Sequence, residues 1–173
     1  MEQQVDSPES LGLPDDPAVA GIPEVVLTSG LAPVELRAWR AFLTRHARVA
    51  RRLEADLMAR SDLPLAEFDV LFQLALADGR RLRMNELADR VLLSRAGITR
   101  LVDRLTSDGL VIRIKCVSDA RGFFAVLTSA GLARLMDAAP GHMAAVRRFF
   151  LESFTPRELE TLANLLELGR PLD

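Results

Sequence analysis

The sequence predicts a mainly helical protein that carries one small β wing. Three observations lead there. Apolar residues recur at spacings of three and four through most of the chain. Only one stretch, 110–128, is rich in β-branched and aromatic residues around a turn. Apolar residues make up 49% and charged residues 27% of the 173, the balance of a chain that folds around a core rather than one that stays disordered. No apolar run reaches the roughly 18 residues a membrane helix needs.

The first 33 residues stand apart. They hold five of the nine prolines, with Gly12, Gly21 and Gly30. Acidic, proline-rich and aperiodic, 1–33 reads as a flexible arm. The run 24–28 could pack as an extended piece. MEQQVDSPES has no basic residue and no apolar stretch behind it, so no signal peptide is expected and the cytoplasm is the default compartment.

Helical periodicity begins at 34 and runs to about 60. Leu36, Trp39, Leu43, Ala47, Ala50, Leu53 and Leu57 form its stripe. At 1.5 Å per residue such a helix is about 40 Å long, more than a small domain needs, which suggests an interface. Asp62-Leu63-Pro64 breaks it. A second helix follows at about 65–77, with Phe68, Leu71, Phe72 and Ala75 on one face, and Asp78-Gly79 ends it. A short helix at 84–91 turns Leu87, Ala88 and Val91 inward. After a three-residue break, Ser94 caps the next helix, which runs to about 107 with Ile98, Leu101, Val102 and Leu105 inward. Asp108-Gly109 stops it. Strands at 111–114 and 123–127 flank a charged turn at 118–122. Two helices close the chain. The first spans about 129–152, with Pro140 placed to kink or split it and His142 marking an irregularity. The second starts at the capping box of Thr155, Pro156 and Glu158, and ends at Gly169-Arg170-Pro171.

The net charge of −2 looks unpromising for nucleic acid, but the average hides an asymmetry. Seven of the 24 acids and no bases lie in 1–36. The remaining 17 acids face all 22 bases, a net of +5 over 37–173. All but Lys115 are Arg, whose planar fork suits phosphate and guanine. From Arg95 to Arg121 there are six bases and three acids.

Short helix, tight turn, longer helix and charged hairpin make a winged helix-turn-helix. The longer helix is narrow enough for a major groove. With its inward face fixed, it offers Arg95, Thr99, Arg100 and Arg104 outward. Ser94 caps an N-terminus that also attracts phosphate, and Arg121 at the hairpin tip could reach the adjacent minor groove. A basic helix face is often only a solvated face. The wing and the helix spacing together favour DNA contact for Arg100 and Arg104, and less firmly for Arg95. Asp103 among them is either an ion-pair partner that orients an Arg or a solvated residue.

The stretch 82–132 resembles the MarR family of bacterial transcription regulators. The matching pieces are NELADRV, LLSRAGITRLVDRLTSDGLVIR and SDARGFFAVLTSAG. The most specific signature is Asp119-x-Arg121 followed by Leu-Thr-x-x-Gly at 127–131. The element order is similar over 34–169. The resemblance implies a homodimer on a palindromic double-stranded DNA operator, with 34–61 and 129–173 forming the dimer region and 62–128 the DNA-binding region. By position, Arg121 would be the wing residue that enters the minor groove and Asp119 would orient it. Ser94, Arg95, Thr99, Arg100 and Arg104 would face phosphates and base edges. The chain departs from the family at Pro64 and Arg83, where Ser or Thr is usual at the helix starts, so two weakened caps are expected.

The resemblance also implies a small-molecule effector, often aromatic, held between the dimer helices and the DNA-binding lobe. Trp39, His46, Phe68 and Phe72 are the candidates. Core packing for the aromatics and a satisfied interface histidine are the preferred readings of each, with His46 the best single candidate because its protonation can respond to pH. Cys116 could be a redox sensor, its thiol tuned by Lys115 and Arg113. A buried small residue at the base of the wing is the more ordinary reading, and the family's sensing branch carries its cysteine near the start of the first helix, where this chain has none.

The expected function is therefore a DNA-binding transcription regulator, a homodimeric repressor released by a ligand. The alternative is a winged-helix protein-interaction module without specific DNA binding, with the acidic arm as partner surface or as a mimic that competes for the basic face. No enzyme motif is present: there is no Gly-x-Ser-x-Gly, His-Glu-x-x-His or glycine-rich phosphate loop. Neither cofactor nor metal is expected from one cysteine and two histidines.

Overall fold

A computed structural model describes residues 30–91, 93–116 and 119–167; the side chains of 119–121 are outside the description. The arm up to residue 29, its 24–28 run and the 169–171 stop therefore lie outside the described residues. The chain divides into two compact units, Met1–His46 and Ala47–Asp173. The described part of the first is the N-terminal half of one long helix. The second holds every other element.

Helix α1 spans Pro33–Ser61. Proline at its first position lacks only an N–H that would be unbonded anyway, and the Glu35 carboxylate accepts the Ala32 N–H at 2.7 Å. Among its residues only Leu57 is buried. The chain then turns through Asp62 at φ +45°. Arg134 donates to the carbonyls of Ser61 and Asp62, covering acceptors that the helix end leaves unpaired.

Helix α2, Leu65–Leu76, buries Glu67, Phe68, Val70, Leu71 and Leu74. Pro64 offers no side-chain cap there. Glu54 of α1 supplies one instead, accepting the Leu65 N–H at 2.7 Å. A 3-10 turn, Asp78–Arg80, follows, with Gly79 at φ +61° and Arg80 at φ +52°. It leads into β1, Arg81–Arg83, a strand the sequence pattern does not predict. Three residues are too short for an alternating pattern. What makes them a strand is their pairing with β3, more than 40 positions later.

Helix α3, Met84–Arg90, begins at Arg83. That residue's own N–H is taken by the Glu86 carboxylate at 3.0 Å, while its side chain offers no cap hydrogen bond, as the second departure implies. Helix α4 spans Arg95–Ser107, with Ser94 Oγ accepting the Gly97 N–H at 3.1 Å. Strands β2, Val111–Cys116, and β3, Asp119–Leu127, form the expected hairpin, but the pairing of Cys116 with Asp119 carries both strands further, so 119–122 belong to β3 and not to the expected turn. The sheet is antiparallel in the order β1-β3-β2, with Leu82 opposite Ala125 and Arg113 opposite Ala125 on its other side. A bulge falls at Lys115/Cys116.

Helix α5 spans Ser129–Phe149 without interruption. Pro140 does not split it, and Gly141 and His142 lie within the helix. The helix also stops earlier than 152, with a 3-10 turn at Leu151–Ser153. Helix α6, Pro156–Glu167, opens on the expected capping box. Glu158 accepts the Thr155 N–H at 2.8 Å and donates its own N–H to Thr155 Oγ1 at 3.4 Å.

The core joins Phe68, Leu71 and Leu74 of α2 to Leu87 of α3, Ile98, Val102 and Leu105 of α4, Val111 and Ala125 of the sheet and Leu135 of α5. The expected inward face of α4 is thus its buried face. Among the described residues no helix is long and apolar enough to cross a membrane.

Candidate nucleic-acid interface

Burying Ile98, Leu101, Val102 and Leu105 fixes the rotation of α4 about its axis. Everything else on the helix follows from that rotation. Arg95, Thr99, Arg100, Asp103 and Arg104 are exposed, and Ser94 is exposed at the N-terminus. Thr99 Oγ1 donates to the Arg95 carbonyl at 2.8 Å, which orients its hydroxyl along the helix and leaves its lone pairs outward.

Two charged tethers hold this helix, and the sequence pattern names neither pair. Arg113 of β2 donates from Nη1 to Asp103 Oδ1 at 3.0 Å and from Nη2 to the Thr99 carbonyl at 3.2 Å. Asp103 therefore fills the orienting role considered for it, and its partner is the wing strand's Arg113. On the other side Arg104 Nε pairs with Glu67 Oε1. Glu67 is only 6% exposed, so its carboxylate sits where an unpaired charge would be costly. An acid in step with Leu71 and Leu74, four and seven positions on, was the available signal.

The strand β3 carries Asp119 and Arg121 in the wing, and Asp119 stands opposite Cys116 in the register. Their side chains lie outside the described residues. An open cleft of about 440 Å³ separates α4 from the wing base and the start of α3, lined by Arg83, Asn85, Arg95, Ile98, Thr99 and Phe123 among others. Cys116 is buried, as a structural role requires, and its Sγ accepts from Arg83 Nη2 at 3.5 Å.

The effector candidates separate into two kinds. Trp39 is 53% exposed on α1 and stacks on Phe42 at 6.0 Å, which stacks on His46 at 6.2 Å. Phe42 was missed, although 39, 42 and 46 keep helical spacing. Phe68 is 1% exposed and belongs to the core, so it lines no open crevice; Phe72, which stacks on it at 6.1 Å, is partly exposed. His142 is a further buried polar residue. Its ring centroid lies 4.3 Å from that of Phe68, and burial pushes its imidazole below the ordinary value, with Asp56 opposing that shift. Among the described residues no cluster of His, Cys, Asp and Glu could hold a metal.

A capped helix in a short helix-turn-helix, followed by a β2–β3 hairpin whose sheet β1 completes, defines a winged helix-turn-helix protein. The comparisons with known proteins agree. The MarR family model matches residues 61–122. An uncharacterized HTH-type transcriptional regulator of Bacillus cereus is 31% identical over 72% of this chain and 81% of its own length. The HTH-type transcriptional repressor YetL of Bacillus subtilis is 34% identical over 58% of this chain and 59% of its own. A MarR family transcriptional regulator from Streptomyces coelicolor, solved in complex with DNA, superposes with a TM-score of 0.73 at 34% identity, covering 79% of this chain and 86% of that one. The chain belongs to the MarR family of transcriptional regulators.

Proposed function

We propose that this chain is a homodimeric repressor that binds a palindromic double-stranded DNA operator and is released by a small ligand. The observation that carries the reading is α4: capped by Ser94, rotated by its buried face, and offering Arg95, Thr99 and Arg100 outward. Its N-terminal residues would meet base edges, while Arg104 and the Ser94 end would meet phosphates. Arg121, placed by Asp119, would enter the flanking minor groove. A relative solved with DNA and another named a repressor support the DNA-binding and repressor parts of this reading.

The dimer region would be 34–61 with 129–173, and the DNA-binding region 62–128. Support comes from α1, where Leu57 alone is buried, and from α6, where no residue is buried and Leu165 and Leu166 are exposed. Such faces ask for a partner, and a second copy would place two recognition helices about 34 Å apart to meet successive major grooves. A small-molecule effector would act by binding the non-DNA state better. The acidic arm 1–33 is assigned no contact. The place of action would be the cytoplasm.

The test is fluorescence anisotropy with the duplex upstream of the protein's own gene, beside a scrambled duplex, at several salt concentrations. Tight, salt-sensitive binding that prefers the upstream duplex is expected. Absence of binding at low salt would move the assignment to the protein-interaction module.

A further inference from the structure

Arg104 occupies the last turn of α4, at the edge of the helix's buried stripe. One side of its guanidinium faces the protein, where Nε meets the buried carboxylate of Glu67. Its side chain is nevertheless 57% exposed. A guanidinium has five N–H donors in a rigid plane. Holding it by Nε leaves the four donors on its two Nη nitrogens for another acceptor, in an orientation the protein has already chosen.

Glu67 sits on α2, a different element, and its position in the core is set by Phe68 and Leu71 beside it. The carboxylate therefore gives Arg104 a fixed reference in the body of the domain. An Arg without such a tether would lose rotamer freedom each time it bound DNA. The tether also changes the electrostatics. A neutralised guanidinium adds little to the diffuse attraction that any DNA exerts on cations, while keeping its directional donors.

Resting on the DNA-binding reading above, we infer that Glu67 is a positioning residue for recognition. It aims Arg104 at a backbone phosphate and sets the register of α4 in the groove. It also holds down non-specific affinity by neutralising that Arg.

This role has a signature that a merely structural one lacks. Glu67→Gln in the full chain removes the charge and keeps the shape. The freed cation should tighten binding to the scrambled duplex and steepen its salt dependence, while the ratio of upstream-duplex to scrambled-duplex affinity falls about 3- to 10-fold. In an Arg104→Ala background the same substitution should leave the ratio unchanged. Arg104→Lys, on an exposed side chain, keeps the charge but has no second donor group, and should lower the ratio similarly even where Glu67→Gln fails to fold. Equal losses on both duplexes, a ratio that still falls without Arg104, or a wild-type ratio in Arg104→Lys would overturn the inference. A wild-type chain that prefers neither duplex would instead remove the DNA-binding reading, and this inference with it.

Discussion

Gly131 is the residue whose replacement tests the wing–helix junction most directly. It lies in the first turn of α5, in the Leu-Thr-x-x-Gly stretch at 127–131. A Cβ built there would stand 2.1 Å from the Leu110 carbonyl oxygen and 2.8 Å from Leu127 Cδ1, whereas ordinary contact begins at 3.4 Å. The two backbones would have to part by more than 1 Å. That carbonyl is not free to move, because it accepts the Thr128 N–H at 3.1 Å and lies 3.0 Å from Thr128 Oγ1. Thr128 Oγ1 in turn caps α5 by accepting the Gly131 N–H at 3.0 Å. Gly131→Ala therefore overpacks the junction and disturbs the cap. Overpacking costs about 1–3 kcal/mol and a lost cap about 1 kcal/mol, offset by about 1 kcal/mol of better helix propensity. A net loss of about 2 kcal/mol lowers Tm by about 4–8 °C in a chain of this size. Gly141→Ala is the control in the same helix. Its Cβ would meet only Arg60 Cδ, at 3.7 Å, so propensity should prevail and raise Tm by about 1–4 °C. The assay is a circular-dichroism melt at fixed protomer concentration, since the proposed dimerisation would couple to Tm. A Gly131→Ala protein that melts at or above wild type would refute the steric reasoning.

Three further predictions follow from single groups. Ser94→Ala removes the acceptor for the Gly97 N–H and should cost about 1 kcal/mol, read as a Tm lower by about 2–4 °C; an unmoved Tm would mean the cap is idle. Burial holds the His142 pKa below its ordinary 6.5, so as pH falls the unfolded chain takes up this proton before the folded one does. Its contribution to stability is complete above that value and is lost as pH falls from there toward the folded-state pKa. The urea midpoint should drop more between about pH 7.5 and pH 5.5 in wild type than in His142→Gln, and parallel drops would acquit the imidazole. Arg121→Ala should weaken operator binding by about 1–3 kcal/mol if the side chain reads a base edge, and an unchanged anisotropy titration would take Arg121 out of the interface.

The legible parts of the fold were those whose physics is local. Ser94 and Thr155 announce helix starts because a cap is a bond across three residues. The inward face of α4 was readable because burial follows the helical repeat. The strand β1 was not, because its reason for being extended is Phe124, Ala125 and Val126 across the sheet. The helix runs unsplit past Pro140 for a related reason. A proline disfavours the helix locally, but α5 buries Leu135, Ala138, His142 and Ala145 along one stripe that runs past it. Phe68 and Phe72 share a helical face in the sequence, yet only Phe68 reaches the core. Residues four apart do not reveal which of them lies nearer the domain's centre.

The same limit applies to charge. Counting along the chain gives six bases from Arg95 to Arg121, and the count treats them as alike. In the fold Arg104 is paired with Glu67, an acid outside the counted segment, and Arg113 with Asp103, an acid inside it. Neither pairing is written in a spacing, because each joins two elements. Arg95 and Arg100 have no carboxylate partner among the described residues. Fewer of the six cations are uncompensated than the count suggests, and Arg104 and Arg113 are each held by a carboxylate. A count of bases along the chain therefore does not say which of them an acid holds. That is set by where the fold places its acids: Asp103 was already a candidate ion-pair partner, and Glu67, charged on an otherwise apolar stripe, was the second hint in the sequence.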